Sequence, residues 1–450
     1  MSEENRQEEI LSILECRRFP LEYTDDQLYA LELVEKFLLS DDKFFLLAGF
    51  AGSGKTSIAE NIAAFSNGVL LAPTNAAVLR LREKLPNTVS VSTIHKTLYG
   101  APDPKTGKWV KKGITPNTTY IIDESSMIDE TVLDDIIMET YSMNNKVIFL
   151  GDSFQLSPVG KDPFLFKWEK SKKYGHNFLK ENKVELVQVK RQDGEILNVA
   201  TKIRTSKSLD IYDYKNEFKV VGDKFGHELY KDIDDNNDYA VITFSNPERM
   251  KFNTIIRKYK FGEAYAKNIV NKGDYIISVA NNDKLNGERY VLHDPIIVES
   301  FLDREINVGS FDYPEMKKYD FYHIYDRTTC EHTLLVPNLD KASIHGHQLL
   351  QYFGDYEFSY TLIYDGTKGT RRIWNKALII ATYGYALTAH KAQGSEWDNV
   401  YINPKSVCER PNKEHIRWFY TAITRGKKRV RLQYHYLLNV IDDPKNAELF

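Results

Sequence analysis

A short segment near the N-terminal end of the chain can bind the phosphates of a nucleotide. Residues 49–56 read Gly-Phe-Ala-Gly-Ser-Gly-Lys-Thr, the complete pattern of a phosphate-binding loop. Backbone N–H groups of such a loop close around phosphate oxygens, and the following helix adds partial positive charge. Lys55 is expected to reach the β- and γ-phosphates, and the Thr56 hydroxyl to ligate Mg²⁺. The segment predicts ATP and Mg²⁺ as ligands, with contacts from Gly49, Gly52, Ser53, Gly54, Lys55 and Thr56.

Two acidic residues after a later apolar run complete the predicted ATP site. Asp123 and Glu124 follow Ile121 and Ile122. Asp123 is expected to hold Mg²⁺, and Glu124 to orient or deprotonate the attacking water. An apolar strand followed by two acids is common by chance. The prediction therefore depends on the position of Asp123, 74 residues after Gly49 in an alternating α/β pattern.

Three further side chains could complete the chemistry. Gln155 follows the apolar run 147–150, and strand ends of this kind face the ligand crevice in open α/β sheets. Gln155 could sense a γ-phosphate without adding charge, although an ordinary turn is the alternative. Arg191 and Arg425 could stabilise charge on the transferred phosphoryl group. An isolated arginine is more often a surface residue, so these two assignments depend on family resemblance. An arginine from a second lobe would predict a motor, because hydrolysis would then change the angle between the lobes.

These residues need parallel strands to position them. Short apolar runs alternate with helical patterns at residues 44–48, 69–72, 120–122 and 147–150, which predicts a parallel sheet with both faces covered. A second α/β unit is expected from about residue 185. Its predicted strands are at residues 239–244, 377–380, 400–402 and 430–432. The predicted fold class is α/β with two parallel-sheet domains.

Two segments depart from this pattern. Residues 95–119 are rich in proline, glycine and lysine around Trp109, which predicts a basic hairpin with Trp109 near its tip, or else a solvated loop. Residues 262–375 contain short alternating runs and no long helical pattern, which predicts a β-rich insertion. The predicted division is a polar leader at 1–20, a first domain at 21–94 and 120–180, the hairpin at 95–119, a second domain at 181–261 and 376–450, and an accessory domain at 262–375.

Composition limits the classes of protein. The net charge is −3 and the hydrophobic fraction is 42%, so any nucleic-acid surface must be a local groove. By composition alone, the absence of a polyanionic partner is favoured. The three cysteines show no C-x-x-C spacing, which indicates neither a disulfide framework nor a zinc site and favours a reducing cytosol. The apolar stretch 377–389 is shorter than a membrane span. A cytoplasmic protein without a membrane partner is expected.

The ordered motifs resemble the superfamily 1B helicases, the RecD-like group that moves 5′-to-3′, and within it the bacteriophage Dda type. The resemblance covers residues 24–192 and 376–430 and hardly touches 262–375. The segment 385–396, with its Thr-Ala-His-Lys-Ala-Gln-Gly core, separates these motors from other phosphate-loop proteins. The other matching segments are 24–27, 49–56, 72–77, 92–95, 123–127, 151–159, 189–191 and 420–426.

The resemblance implies two RecA-like motor domains, with a pin that splits the duplex in the first and a small barrel in the second. It implies that Gln27 reads the adenine edge and that Gln155 couples the γ-phosphate to the lobe interface. Arg191 and Arg425 become trans-acting fingers. Gly394 and Glu396 are implied at the nucleotide cleft. The implied DNA contacts are Pro73, Thr74, Asn75, Thr93, His95, Trp109, Thr388, His390 and Lys391.

The predicted function is an ATP-dependent DNA helicase, encoded by a phage, that moves 5′-to-3′ on single-stranded DNA and unwinds duplexes in replication, recombination or repair. Expected partners are single-stranded and forked DNA, with single-strand-binding or replisome proteins as further candidates. A monomer in the host cytoplasm is expected. The alternative is a translocase that displaces proteins or remodels forks with little unwinding. A nucleotide-dependent clamp-loading factor is a third reading, which the segment 388–393 disfavours.

Overall fold

A computed structural model gives the structure of the 450-residue chain. It describes residues 23–66, 68–85, 89–102, 109–157, 179, 182–188, 194–214, 216–267, 270–278, 295–301, 322–327, 331–336, 358–364, 367–373, 378–407 and 412–442. The predicted polar leader at 1–20 and Arg191 lie outside these ranges.

The first lobe comprises the described residues between 23 and 188. Its helices are α1 (Asp25–Leu39), α2 (Lys55–Ser66), α3 (Asn75–Lys84), α4 (Ile94–Leu98) and α5 (Glu130–Ser142). Its strands are β1 (Phe44–Gly49), β2 (Val69–Ala72), β3 (Val91–Thr93), β4 (Tyr99–Pro102), β5 (Trp109–Lys111), β6 (Thr119–Ile122), β7 (Lys146–Gly151) and β8 (Lys183–Leu186). Six of these strands form one parallel sheet in the order β3-β2-β6-β7-β1-β8.

Strand β1 shows why this sheet is buried on both faces. Phe45 and Leu47 pack with α1, α2 and α3 in one apolar cluster, while Phe44 and Leu46 pack in a second cluster with α4 and α5. A strand buried on both faces must be apolar at every position, and all six residues of β1 are buried. The phosphate loop leaves this strand at its carboxyl end.

Beyond residue 194 the described helices are α6 (Glu195–Ser206), α7 (Phe225–Asp234), α8 (Asn246–Phe261), α9 (Ala264–Lys267), α10 (Ala389–Ala392) and α11 (Lys413–Ile423). The strands are β9 (Asp210–Asp213), β10 (Phe218–Val221), β11 (Tyr239–Thr243), β12 (Tyr275–Ser278), β13 (Pro295–Phe301), β14 (Tyr322–Asp326), β15 (Glu331–Val336), β16 (Phe358–Tyr364), β17 (Thr367–Ile373), β18 (Leu378–Tyr383), β19 (Ala386–Thr388), β20 (Trp397–Asn403), β21 (Gly426–Gln433) and β22 (Asn439–Asp442).

A second parallel sheet forms the centre of the second lobe, which comprises the described residues 194–261 and 384–442. Its strand order is β10-β21-β20-β11-β19. The large apolar cluster of this lobe also contains Leu156 of the first lobe, and Ala51 and Phe154 pack against it. The two lobes are therefore joined by a continuous apolar contact beside the phosphate loop.

Both insertions contain β structure. Strands β4 and β5 pair antiparallel with Tyr99 opposite Lys111 and Pro102 opposite Trp109. Strands β12, β13, β14, β15 and β18 form a closed barrel, and β16 pairs with β17. The predicted fold class is confirmed: two RecA-like parallel-sheet units, a hairpin in the first and a small barrel in the second. Within the described part of the chain, no helix is long and apolar enough to cross a membrane.

One predicted strand lies in a different sheet, and one predicted boundary differs. The run at 377–380 is expected in the second parallel sheet, but β18 pairs antiparallel with β12 and parallel with β15 in the barrel. The second unit is expected to begin near residue 185, but β8, which contains that residue, pairs with β1 at the edge of the first sheet. A short strand has the same local pattern in either sheet, so its partners are set by distant packing. We propose that the boundary between the lobes follows β8.

Candidate active site between the two lobes

Glycines shape the phosphate loop between β1 and α2. Gly52 and Gly54 adopt φ values of +76° and +81°, in the left-handed region that costs other residues energy. A Cβ on Gly54 would lie 2.4 Å from Gln27 Nε2, and one on Gly49 would lie 2.7 Å from Ser53 Oγ. The loop therefore needs glycine at these positions both for conformation and for space.

Lys55 lies over the loop that it follows. Its Nζ donates hydrogen bonds to the carbonyl oxygens of Gly49, at 2.9 Å, and Phe50, at 2.8 Å. Burial lowers the pKa of Lys55, and the nearby charges of Asp152, Glu124 and Asp123 oppose that shift. The ammonium group is thus held at the loop where a phosphate would compete for it. Thr56 is the next residue of α2, half-buried in the same turn.

Gln27 supports the phosphate loop from behind. Its side chain is buried, with 1% exposure. Its Nε2 donates to the Ser53 carbonyl at 2.7 Å, and its Oε1 accepts from the Thr24 N–H at 3.1 Å. Both ends of the amide thus have protein partners, so the structure gives Gln27 a role in fixing the loop. Reading of the adenine edge stays a prediction.

The two predicted catalytic acids lie at the carboxyl end of β6. Asp123 and Glu124 are 3% and 7% exposed. Asp123 Oδ1 accepts from the Glu124 N–H at 2.8 Å, while its Oδ2 has no hydrogen-bond partner among the described residues. Burial, and then the charge of Glu124, raises the pKa of Asp123, whereas Arg80 and Lys55 counteract this. Glu124 adopts a left-handed φ of +50°, and its Oε1 accepts from Arg80 Nη2 at 3.3 Å.

Arg80 of α3 supplies the positive charge beside these acids. Its Nη2 lies 3.3 Å from Glu124 Oε1 and 3.9 Å from Asp123 Oδ2, and its Nη1 lies 3.2 Å from Glu396 Oε1 of the second lobe. The guanidinium therefore joins the acids of one lobe to an acid of the other.

A second network connects the lobes at the end of β7. Asp152 is fully buried and accepts from Arg204 Nη1 and, at 2.5 Å, from the Tyr420 hydroxyl. The same hydroxyl accepts from the Ala51 N–H of the phosphate loop at 3.0 Å. Burial, and then the charge of Asp152, raises the pKa of Tyr420. Arg204 also pairs with Glu185 at 2.6 Å. A helix of the second lobe thus bonds directly to the loop that would hold phosphate.

Gln155 and Arg425 both lie near this interface, but their side chains differ in hydrogen bonding. Gln155 is buried, and its Oε1 has no hydrogen-bond partner within the described ranges. Arg425 is also buried, but its guanidinium bonds within its own lobe: to the Thr421 carbonyl at 3.0 Å, the Ser395 carbonyl at 3.4 Å and Thr424 Oγ1 at 3.1 Å. Arg425 is therefore close to the cleft but turned towards the second lobe.

Gly394 and Glu396 lie where the second lobe meets α3. Gly394 has a φ of +79°, and a Cβ there would lie 3.1 Å from Ala77 Cβ and 3.2 Å from Thr74 Oγ1. Only glycine permits this close approach between the lobes. With Glu396 paired to Arg80, the segment meets α3 near Ala77 and again at Arg80.

Two family models match separate parts of the chain. Residues 22–222 match a family model described as an AAA domain, and residues 383–433 match one described as a UvrD-like helicase C-terminal domain. The second match covers the segment that contacts α3 and the helix that bonds to the phosphate loop.

Relatives match across almost the whole chain. The ATP-dependent DNA helicase dda of Enterobacteria phage T4 is 29% identical, with 90% of this chain and 97% of that protein covered. An uncharacterized protein of Acanthamoeba polyphaga mimivirus is 24% identical, with 90% and 98% covered. Together, the two family matches and these relatives support a superfamily 1B helicase related to Dda. The predicted enzyme class, an ATP-dependent DNA helicase, is thereby confirmed.

Solved structures of helicases share the fold. The Pif1 helicase from Bacteroides in complex with ADP-AlF3 and ssDNA has a TM-score of 0.52 at 17% identity, covering 95% of this chain and 96% of that one. Pif1 helicase from Candida albicans has a TM-score of 0.50 at 15% identity, with 95% and 98% covered. At these identities the similarity concerns the fold alone.

The residues predicted to contact DNA in this helicase lie at strand ends. Thr74 follows β2 and caps α3, where its Oγ1 accepts from the Ala77 N–H at 3.3 Å. Thr93 ends β3 and caps α4, where its Oγ1 accepts from the Lys96 N–H at 3.1 Å. Thr388 ends β19, the edge strand of the second sheet. Pro73 precedes Thr74, and His95 lies on α4 with its ring 5.6 Å from the ring of Tyr99.

His390 and Lys391 of the helicase lie on α10, just after Thr388. Burial lowers the pKa of His390. Burial, and then the positive charge of Arg249, lowers the pKa of Lys391 to about 8. Lys391 is therefore a cation whose charge is easily lost. The DNA roles of these residues stay predictions, and the side chains of Asn75 and Trp109 lie outside the described part of the structure.

Sequence reasoning missed four residues of the helicase site. Asp152 and Tyr420 lie inside the recognised motif segments 151–159 and 420–426, so the motifs could have indicated them as site residues. Arg80 and Arg204 lie on amphipathic helices where arginine is ordinary, and no local pattern singles them out. Arg80 pairs with a residue 316 positions away, and Arg204 with one 52 positions away.

Proposed function

We propose that this helicase uses ATP to move 5′-to-3′ along single-stranded DNA and to unwind duplex DNA ahead of it, in replication, recombination or repair. The observation that carries the proposal is a contact made by Tyr420 of the second lobe. Its hydroxyl bonds to two residues of the first lobe, Ala51 of the phosphate loop and Asp152. A change at the loop must change this contact, so the state of the nucleotide can set the distance between the lobes.

The described residues fit an Mg²⁺ ion with a nucleotide. Asp123 Oδ2 and Ser53 Oγ are buried polar atoms without hydrogen-bond partners among the described residues. A carboxylate is an oxygen ligand that Mg²⁺ takes beside phosphates, and the Ser53 hydroxyl could donate to a phosphate oxygen. Asp123 and Thr56 would hold the ion, which when bound neutralises charge on the β- and γ-phosphates.

Each group of the first lobe then has a defined task. The loop N–H groups and Lys55 bind and orient the phosphates, so Lys55 exchanges its two carbonyl partners for phosphate oxygens. Glu124 orients the attacking water and takes its proton. Gln155, with its free Oε1 within the described structure, reads the γ-phosphate side of the cleft.

Arg425 completes the site only after a rearrangement. Its three hydrogen bonds inside the second lobe must be exchanged before its guanidinium can stabilise charge on the transferred phosphoryl group. Closing of the lobes around ATP provides that exchange, and loss of the γ-phosphate reverses it. Arg191 is proposed as a second finger by the family resemblance.

The DNA strand is proposed to lie across the ends of β2, β3 and β19. Thr74 and Thr93 bring N–H groups at helix starts, and Lys391 brings a cation from the second lobe. Contacts of this kind bind the backbone without reading bases, so binding should depend on salt more than on sequence. Alternate closing and opening then moves the strand stepwise. A monomer suffices for this scheme, and the viral relatives support a viral source.

The hairpin β4–β5 is proposed as the pin that separates the duplex. Asp135 of α5 holds both of its strands: Oδ2 accepts from the Tyr99 hydroxyl at 2.5 Å, and Oδ1 pairs with Lys111 Nζ at 2.6 Å. A pin must be rigid to split base pairs. Its fixed base favours a true helicase over a translocase with little unwinding.

Unwinding of two partial duplexes with Mg²⁺-ATP tests the proposal. One substrate has a 5′ single-stranded tail and the other a 3′ tail. We expect unwinding from the 5′ tail only. Unwinding only from the 3′ tail would overturn the direction, and DNA-stimulated hydrolysis without unwinding of either substrate would favour the translocase.

The pin is tested by Asp135→Ala, with Glu139→Ala on the same helix as the control. We expect Asp135→Ala to slow unwinding while single-stranded DNA still stimulates ATP hydrolysis. Equal unwinding by both variants would mean that the duplex is split elsewhere.

A further inference from the structure

Arg80 occupies an unusual position among carboxylates from both lobes. Its guanidinium contacts Glu124 at 3.3 Å and Glu396 at 3.2 Å, with Asp123 at 3.9 Å. The Arg80 side chain is 15% exposed, so these ion pairs are partly shielded from water. Ion pairs with carboxylates of both lobes hold the Arg80 guanidinium in place. A planar guanidinium can bind two such partners at once.

The pairing with Glu124 opposes the chemistry that Glu124 is proposed to perform. Glu124 Oε1 accepts from the Arg80 guanidinium, so this oxygen is not available to hold a water molecule in position. The same cation stands beside Asp123, the proposed Mg²⁺ ligand. Arg80 must therefore move away from these acids, or loosen its hold on them, before water can be activated. Glu396 offers the guanidinium a partner on the other lobe.

The helix that carries Arg80 also meets the proposed DNA track. Helix α3 begins after Thr74, whose Oγ1 caps it. Gly394, two residues before Glu396, approaches Thr74 and Ala77 closely. A DNA strand that binds at Thr74 would contact helix α3. A shift of the second lobe would move Glu396, which is paired with Arg80 on that helix.

We propose that Arg80 is the positioning residue through which DNA binding stimulates ATP hydrolysis. Without DNA, Arg80 restrains Glu124 and Asp123. With DNA bound and the lobes closed, Glu396 draws Arg80 from Glu124, which is then free to orient water. This inference rests on the proposed function, since it requires single-stranded DNA to stimulate turnover.

The readout is the stimulation ratio, which is the saturated ATPase rate with single-stranded DNA divided by the rate without it. Arg80→Ala should raise the rate without DNA and reduce the ratio by about fivefold or more, the lower range of allosteric coupling. Glu396→Gln should also reduce the ratio, but through a lower rate with DNA, because Arg80 then stays on the acids. The double variant should behave like Arg80→Ala, because coupled residues are not additive.

Two further variants keep the test decisive. Arg80→Lys retains a cation beside the acids but cannot bridge both sides, so it should keep the low rate without DNA and lose stimulation. Arg82→Ala is the matched control on the same helix, since Arg82 Nη2 bonds to the Val91 carbonyl at 3.1 Å. Its ratio should equal that of the unaltered enzyme. Thermal melting establishes that each variant is folded.

The possible outcomes distinguish failure of the Arg80 proposal from failure of the proposed helicase function. If DNA fails to stimulate the unaltered enzyme, the proposed function fails. If DNA stimulates it, and Arg80→Lys and Glu396→Gln keep its ratio, the role of Arg80 is overturned. A purely structural role would lower both rates by one factor and leave the ratio unchanged, which also contradicts the proposal.

Discussion

The two lobes hold their ATP-site residues in different states. In the first lobe, Lys55, Asp123 and Glu124 share one site, and their charges act on one another. In the second lobe, Arg425 is bonded to carbonyl and hydroxyl groups of its own lobe. The proposed nucleotide-binding residues are therefore assembled by one sheet, while the proposed arginine finger must exchange its partners before it can act. This difference predicts that binding and turnover can be separated by substitution.

The largest expected effect follows loss of the first lobe's cation. Lys55→Ala should abolish ATP hydrolysis, because it removes the cation proposed to bind the β- and γ-phosphates, and the fold should survive. Turnover is measured with and without single-stranded DNA, and folding by circular dichroism. Retained turnover would remove Lys55 from the site.

Arg425→Ala should have the next largest effect. It should separate nucleotide binding by the first lobe from turnover, which needs the second lobe. An arginine finger contributes about 10³-fold or more to turnover, whereas the proposed phosphate contacts come from the first lobe. We expect kcat to fall by at least that factor while nucleotide affinity, measured by fluorescence titration, changes little. A similar loss of affinity would mean that Arg425 already contacts the bound nucleotide.

Tyr420→Phe tests the bridge between the lobes. The change removes hydrogen bonds to a buried carboxylate and to the Ala51 N–H. Hydrogen bonds to charged groups contribute about 1.5–3 kcal/mol, so the free energy of unfolding should fall by that amount and turnover should fall with it. Tyr141→Phe, at an exposed site on α5, is the control. Wild-type turnover in Tyr420→Phe would leave the bridge without a role in coupling.

The smallest expected effect is the pH dependence of DNA binding. Lys391 has a pKa of about 8, and a bound phosphate would raise it, so affinity should be constant below pH 8 and fall as pH rises through that value. Loss of one phosphate contact should weaken binding by at most about tenfold at moderate salt. Lys391→Arg should flatten the profile between pH 7 and 9, as measured by fluorescence anisotropy. A wild-type profile that stays flat would exclude Lys391 from the track.

Much of the site could be predicted from the sequence, because the site residues follow strands that can be recognised from a short run of apolar residues. The apolar residues of β1 and β6 predict buried parallel strands, and the chemistry follows at their carboxyl ends in Lys55, Asp123 and Glu124. Gln155 was placed by the same logic after β7. These residues are grouped by the fold class itself, since parallel strands end at one edge of a sheet.

The partners across the interface could not be predicted in this way. The Arg80–Glu396 pair and the Tyr420–Asp152 bond join helices and loops that are hundreds of residues apart, and no local pattern of charge or apolar residues records which helices will meet. Strands β8 and β18 show the same limit, because a short strand carries no local record of the sheet that it will join.

By itself the sequence determined the phosphate loop, the acids that follow β6, the α/β class and the helicase segment at 385–396, because each depends on short-range pattern and residue chemistry. Only the tertiary structure decided that Arg80 connects catalytic acids to Glu396, that Tyr420 contacts the loop and that Arg425 faces its own lobe. Those contacts arise from how two separately formed sheets pack, and packing depends on shape and burial over the whole molecule.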